Sequence, residues 1–174
     1  MKPYVFNVAE ITEACIKWIQ DWMQKNGNDD TKVVIGISGG KDSTVVAALC
    51  AKALGKDRVL GVMMPNGVQP DISDSQKIVD FLQIPHLTIN INNAYTGLTE
   101  EIKTQMSLES LSPQYLTNTP ARLRMTTLYG IGAIIGNARV VNTCNRSEDV
   151  QGYSTHYGDS AGDGDDGCGR AGSG

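Results

Sequence analysis

Basic charge, long apolar runs and paired cysteines are all missing from this chain. The formal net charge is −4, which gives no bulk attraction to nucleic acid or to anionic membrane surfaces. No basic run interleaved with aromatics occurs. No stretch approaches the ~20 apolar residues that a membrane span requires, and Met1-Lys2-Pro3-Tyr4 lacks an apolar signal core. Neither nucleic acid nor a membrane is therefore an expected partner. The four cysteines, Cys15, Cys50, Cys144 and Cys168, lie far apart with no C-x-x-C pair. What is present, 174 residues with 40% hydrophobic and 20% charged content, fits one soluble globular domain with a core.

The most informative stretch is Val33-Val34-Ile35-Gly36-Ile37-Ser38-Gly39-Gly40-Lys41-Asp42-Ser43. A β-branched run ends at a serine, two glycines follow, and a helix-forming segment begins. A strand, a tight turn and a helix N-terminus make an anion cradle, because the first-turn N–H groups have no partners within the helix. Glycines permit conformations and close approaches closed to other residues. Lys41 adds a point charge, and Ser38 and Ser43 add hydroxyls. Asp42 would repel phosphate unless a cation bridged the two, so it reads as a Mg²⁺ ligand. The Walker pattern is excluded, since Asp42 follows Lys41 and residue 35 is Ile. The run Ser-Gly-Gly-x-Asp-Ser after a buried strand instead resembles the PP-loop of the ATP pyrophosphatase superfamily. Beside such a nucleotide motif, the scattered cysteines read as reduced thiols in a cytoplasmic protein.

Periodicity predicts a first helix over 8–25, capped by Asn7 with Glu10 three residues on, and apolar at Val8, Ile11, Cys15, Trp18, Ile19 and Trp22. Strands are expected at 32–37, 59–64, 86–91 and 138–143. Helices are expected at 43–54 (Val45, Val46, Leu49 and Ala53 inward), 73–82, 94–106 and 120–135. This alternation means an α/β fold, a parallel sheet with helices on both faces. Ligands then bind beyond the carboxyl ends of the strands. The chemically suggestive residues should gather after the first, second and fourth strands. Residues 1–163 are expected to form the domain. Residues 164–174, rich in Gly and Asp, are expected to be a disordered or loose tail.

Three further segments carry candidates. Asn66-Gly67 after the second strand is either a nucleotide edge or a plain turn. Asn118 or Thr119 with Pro120 reads as a helix start. Arg122 and Arg124 beyond it would oppose the helix dipole, so they are either solvated or binders of an anionic substrate. Asn142–Glu148 follows the fourth strand, where Thr143 could bond a nucleotide and Glu148 is either solvated or a second carboxylate for metal. The loop from Gly152 to Asp159 is a substrate clamp or a surface excursion.

Together, Ser38–Ser43, Asn118–Met125 with Leu128-Tyr129, Asn142–Glu148 and Gly152–Asp163 resemble the bacterial NAD⁺ synthetase family of the ammonia-dependent kind, over residues 5 to 163. The resemblance implies an adenine nucleotide alpha hydrolase-like fold, a Rossmann-like three-layer sandwich. It implies ATP binding by Gly36, Ile37, Ser38, Gly39, Gly40, Lys41, Asp42, Ser43 and Thr143, with Lys41, Asp42 and Ser43 at the reacting phosphates. It implies Mg²⁺ on Asp42 and Glu148, and deamido-NAD contacts from Arg122, His156 and Asp163. His156 stands where some relatives have lysine, so it lacks an assured charge at pH 7. The implied reaction forms an acyl adenylate from ATP and deamido-NAD, releases pyrophosphate, and then transfers the acyl group to ammonia. A cytoplasmic homodimer with substrate bound across its interface is also implied. The helix with Leu128, Ile131, Ile134 and Ile135 would serve either that interface or the domain's own core.

The resemblance breaks after Asp163, where relatives continue with further loops and helices. The chain as written is therefore expected to keep the sheet and phosphate loop but to turn over weakly or not at all. There is no room for an amidase domain before the first strand, so free ammonia is the expected nitrogen source. Another PP-loop adenylating ligase, of the GMP synthetase or tRNA-modifying kind, and a non-catalytic nucleotide-binding module are the alternatives.

Overall fold

The structure is a computed structural model that describes residues 7–68, 72–144, 155–158 and 161–163. Glu148 and the expected tail 164–174 lie outside the described residues.

Val33, Val34 and Ile35 form the middle of β1 (Lys32–Gly36), and each is 0% exposed. An unbroken apolar run of this kind suits a strand covered on both faces. β2 (Val59–Met63) and β4 (Ala138–Val141) flank it, with β3 (His86–Thr88) outside β2. The order is β3-β2-β1-β4 and every pairing is parallel. Val34 stands opposite Leu60 on one side and Val140 on the other. Regular pairing in β3 ends earlier than the expected Ile91. Ile89 and Ile91 still donate to the carbonyls of Met63 and Pro65, both at 2.9 Å. Between them Asn90 turns aside and brackets Gly67, its Oδ1 accepting from Gly67 N and its Nδ2 donating to Gly67 O, each at 3.1 Å.

Side chains alternate across a strand, so β1 feeds two cores. Val33, Ile35 and Ile37 pack with Ala47, Cys50, Val79 and Met23 on one face. Val34 packs with Val62, Val140, Met125, Leu128 and Ile131 on the other. The first face is covered by α1 (Val8–Asn26), α2 (Lys41–Leu54) and α3 (Ile72–Leu82). The second is covered by α5 (Pro113–Ile135), against which α4 (Asn92–Met106) rests, Thr99 Oγ1 lying 3.0 Å from Tyr115 OH. This is the expected three-layer α/β arrangement. Among the described residues no helix is long and apolar enough to cross a membrane.

Asn7 caps α1 as expected, its Oδ1 accepting from Glu10 N at 3.3 Å. The helix docks by its C-terminal half: Ile19 and Trp22 pack on the core beside buried Met23, while Val8 is 64% exposed. On α2 the inward face is Ser43, Ala47 and Cys50, and the expected Val45 points out at 56% exposure. Small residues let this helix lie close to the sheet.

The largest departure is in α5. Pro120 is not its first turn. The helix starts at Pro113, capped by Ser112 Oγ, which accepts from Tyr115 N at 3.2 Å, and Pro120 lies buried in its interior. Both Ser112-Pro113 and Thr119-Pro120 carry the cap-then-proline signature, and the earlier pair is the true start. Arg122 therefore sits well inside the helix, and the dipole argument for it fails.

Candidate active site

β1 leads into α2 on one side and the chain later crosses to β4 on the other, so the connections diverge between β1 and β4. Crevices at such a point bind ligands in open parallel sheets. A cavity of about 330 Å³ lies there, within the usual range for small-molecule sites. Gly36, Ile37 and Ser38 at the end of β1, Met64 after β2, and Val141, Asn142 and Thr143 at the end of β4 form part of its wall. Of the residues expected to gather after these strands, Gly36, Ile37, Ser38 and Thr143 line the cavity, Asn66 and Gly67 do not, and Glu148 lies outside the described residues.

The loop after β1 is built for backbone approach. A Cβ at Gly36 would stand 3.2 Å from Met64 Cε. Gly39 has φ +84°, in the region that favours glycine, and a Cβ there would stand 3.3 Å from both Ser75 N and Ser75 Oγ. Gly40 is the N-cap of α2 and has no side chain to occupy the first-turn N–H groups. The hydroxyls around it brace the loop. Ser38 Oγ accepts from Gly40 N at 3.2 Å and lies 3.1 Å from Ser43 Oγ, and Thr44 Oγ1 donates to Gly40 O at 2.7 Å. Ser43 is 3% exposed and holds Ser38, whereas Ser38 itself lines the cavity. Lys41 is exposed and Asp42 half-buried on the first turn of α2.

Opposite the loop stands one face of α5, Ala121, Arg124, Met125 and Leu128. Its spacing of i, i+3, i+4, i+7 is a helical stripe, apolar except for the arginine. Arg124 Nε donates to Met64 O at 3.0 Å. Burial lowers its pKa below the ordinary arginine value, yet guanidinium stays cationic at neutral pH. Among the described residues no carboxylate pairs with it. A half-buried cation facing a glycine-lined anion cradle is an arrangement for phosphate or carboxylate.

Of the expected substrate contacts, none lines this cavity. Arg122 is exposed, and its Nε donates to the carbonyl of His156 at 3.2 Å. The His156 ring lies 4.0 Å from that of Tyr157, and Gly158 packs on Ala121, so this short segment rides on α5. The Asp163 carboxylate accepts from Tyr129 OH at 3.1 Å and from Val140 N at 2.8 Å. Gly67 belongs to the turn held by Asn90, and only Met64 of that stretch reaches the cavity. Sequence reasoning missed Ser75 on α3 and underweighted Arg124. A lone arginine in an apolar helical stripe was the available signal for the latter. Ser75 offered none, because only the fold brings α3 to the loop.

Among the described residues no group of three His, Cys, Asp or Glu side chains gathers to cage a metal. Asp42 is the carboxylate that the described residues place beside the glycine loop, and Mg²⁺ characteristically takes one or two carboxylates with phosphate oxygens and waters.

The parallel sheet, the Ser-Gly-Gly-Lys-Asp-Ser turn after its central strand and the cavity at the crossover define an α/β protein of the adenine nucleotide alpha hydrolase class. Comparison narrows this further. The family model for NAD synthase matches residues 11–165, and the chain belongs to that family. It is 38% identical over 148 residues to the NH₃-dependent NAD⁺ synthetase of Pyrococcus horikoshii, with 85% of this chain and 54% of that protein covered. It is 40% identical over 157 residues to that of Pyrococcus furiosus, with 90% and 56% covered. The chain thus spans about half the length of the curated relatives it matches. The NH₃-dependent NAD synthetase from Campylobacter jejuni, solved with nitrate, superposes with a TM-score of 0.80 at 31% identity, over 91% of this chain and 66% of that one. The glutamine-dependent NAD⁺ synthetase from Acinetobacter baumannii, solved with ADP, gives 0.81 at 29% identity, over 93% and 30%.

Proposed function

We propose that this chain carries the ATP-binding and adenylating centre of an ammonia-dependent NAD⁺ synthetase, acting on ATP, deamido-NAD and ammonia in the cytoplasm. The observation that carries the reading is the glycine cradle facing Arg124 across one cavity. In this reading the apolar surface of Met64, Met125 and Leu128 takes the adenine. Gly36, Ile37, Ser38, Gly39 and Gly40, with Thr143 opposite, take ribose and phosphates. The nicotinate carboxylate attacks the ATP α-phosphorus, the bond to the β-phosphate oxygen breaks, and pyrophosphate leaves. Ammonia then attacks the acyl carbon, AMP leaves with the bond electrons, and a proton is lost to form the amide. The chain's part is to hold two anions together and to offset charge on the departing pyrophosphate. The α2 N-terminus, Lys41 and the Ser38 hydroxyl, braced by Ser43, serve that purpose. Bound Mg²⁺ would be held by Asp42 and Glu148 and would neutralise phosphate charge. Arg122, His156 and Asp163 are assigned to deamido-NAD.

The names of the Pyrococcus relatives favour ammonia as the nitrogen source. The free thiols Cys15 and Cys50 suit a reducing compartment. A homodimer is part of the proposal. Leu128 and Ile131 are spent in the chain's own core, Ile135 packs partly against it, and Ile134 is 88% exposed on α5. Sedimentation velocity tests the association.

The direct test is incubation of the purified chain with ATP, deamido-NAD, MgCl₂ and ammonium. Release of AMP and pyrophosphate dependent on deamido-NAD supports the reading. Calorimetric ATP binding with no AMP release defines a binding module instead, and no ATP binding overturns the proposal. A structural neighbour from Francisella tularensis is an NMN synthetase, so the corresponding acid mononucleotide belongs in the same assay.

A further inference from the structure

Around the loop after β1 the hydroxyls of Ser38, Ser43 and Thr44 all have partners. Ser75 is the exception. It lies in the first turn of α3, is 1% exposed, and its Oγ has no hydrogen-bond partner. Buried hydroxyls are as a rule bonded, and an orphaned one calls for a reason. Its position supplies one. A methyl added at Gly39 would stand 3.3 Å from Ser75 N and Oγ and 3.5 Å from Asp74 Cβ. The N-terminal turn of α3 therefore abuts the glycine at the heart of the cradle, and Ser75 also contributes to the cavity wall. Two helix N-termini, those of α2 and α3, converge on one loop, and both favour negative charge there.

We infer that Ser75 is a further anion-binding residue of this site, its hydroxyl donating to an oxygen of the outer phosphates that the Gly39 cradle receives. The inference rests on the nucleotide reading proposed above and adds a group from a second helix to it. With no Cβ at Gly39, no side chain of the loop crowds the hydroxyl at that point. Rotation about Cα–Cβ takes Oγ among three staggered positions, so the hydroxyl can follow an entering phosphate without movement of α3. The hydroxyl, unpartnered within the chain, then finds its acceptor in the bound phosphate.

The test compares the 174-residue chain with its Ser75→Ala variant by calorimetry, using magnesium pyrophosphate and, as a probe lacking the outer phosphates, AMP. A hydrogen bond to a charged acceptor predicts about a tenfold or greater loss of pyrophosphate affinity in the variant, with AMP affinity unchanged. Thermal unfolding without ligand should be unchanged or shifted upward, because an unpartnered buried hydroxyl has been removed. Equal pyrophosphate affinity in the two proteins overturns the assignment of Ser75 and leaves the nucleotide reading standing. A lower melting point of the ligand-free variant makes the hydroxyl structural and also overturns it. Failure of the unmodified chain to bind pyrophosphate or ATP overturns both.

Discussion

Arg124 illustrates how a single side chain can be read from its surroundings. Its guanidinium is half-buried, tied to one backbone carbonyl, and turned to a cavity whose other lining residues are all uncharged. Arg124→Met keeps the volume and removes the charge. ATP affinity measured by calorimetry should fall about tenfold or more, with the far-UV spectrum unchanged. Cys50 makes the opposite case. It is 2% exposed, and burial pushes its thiol up from 9.0 to about 12. The folded state therefore keeps a proton that the unfolded chain loses above pH 9. Stability from this group is complete below that pH and declines as pH rises towards about 12. Chemical unfolding at stepped pH should show that decline, and Cys50→Ala should flatten it. The same burial predicts that Cys50 resists alkylation at pH 8 in the folded protein, in contrast to the half-buried Cys15.

At the scale of elements, α5 matters most, because it supplies both a core face and a cavity wall. Its start is testable. Ser112→Ala removes the side-chain cap and should cost about 1 kcal/mol, read by urea unfolding, whereas a helix beginning at Pro120 would not register the change. The strands were legible because Val33-Val34-Ile35 and Val59–Met63 are short apolar runs bounded by charge and turn residues. The loop after β1 was legible because its chemistry is local: strand, glycines and helix cap are contiguous. The true start of α5 was not, since two cap-then-proline pairs compete, and only the structure shows Ser112 as the cap with Thr119 and Pro120 buried inside the helix. Arg124 showed only as a lone arginine in an apolar helical stripe, and Ser75 not at all, because no window of the sequence contains which helix faces which strand end.

At the scale of the molecule, the order β3-β2-β1-β4 leaves β4 at a sheet margin among the described residues. Its outward backbone at Val140 is closed by one residue: Asp163 N donates to Val140 O at 2.8 Å while the Asp163 carboxylate accepts from Val140 N at the same distance. An open margin of this kind is a template for strand addition by another chain. Asp163 thus works as a selvedge, its two stitches keeping the woven border from catching on its neighbours. Asp163→Ala should leave secondary structure in place yet raise static light scattering with concentration. Tyr129→Phe, which spares both backbone stitches, should scatter much less.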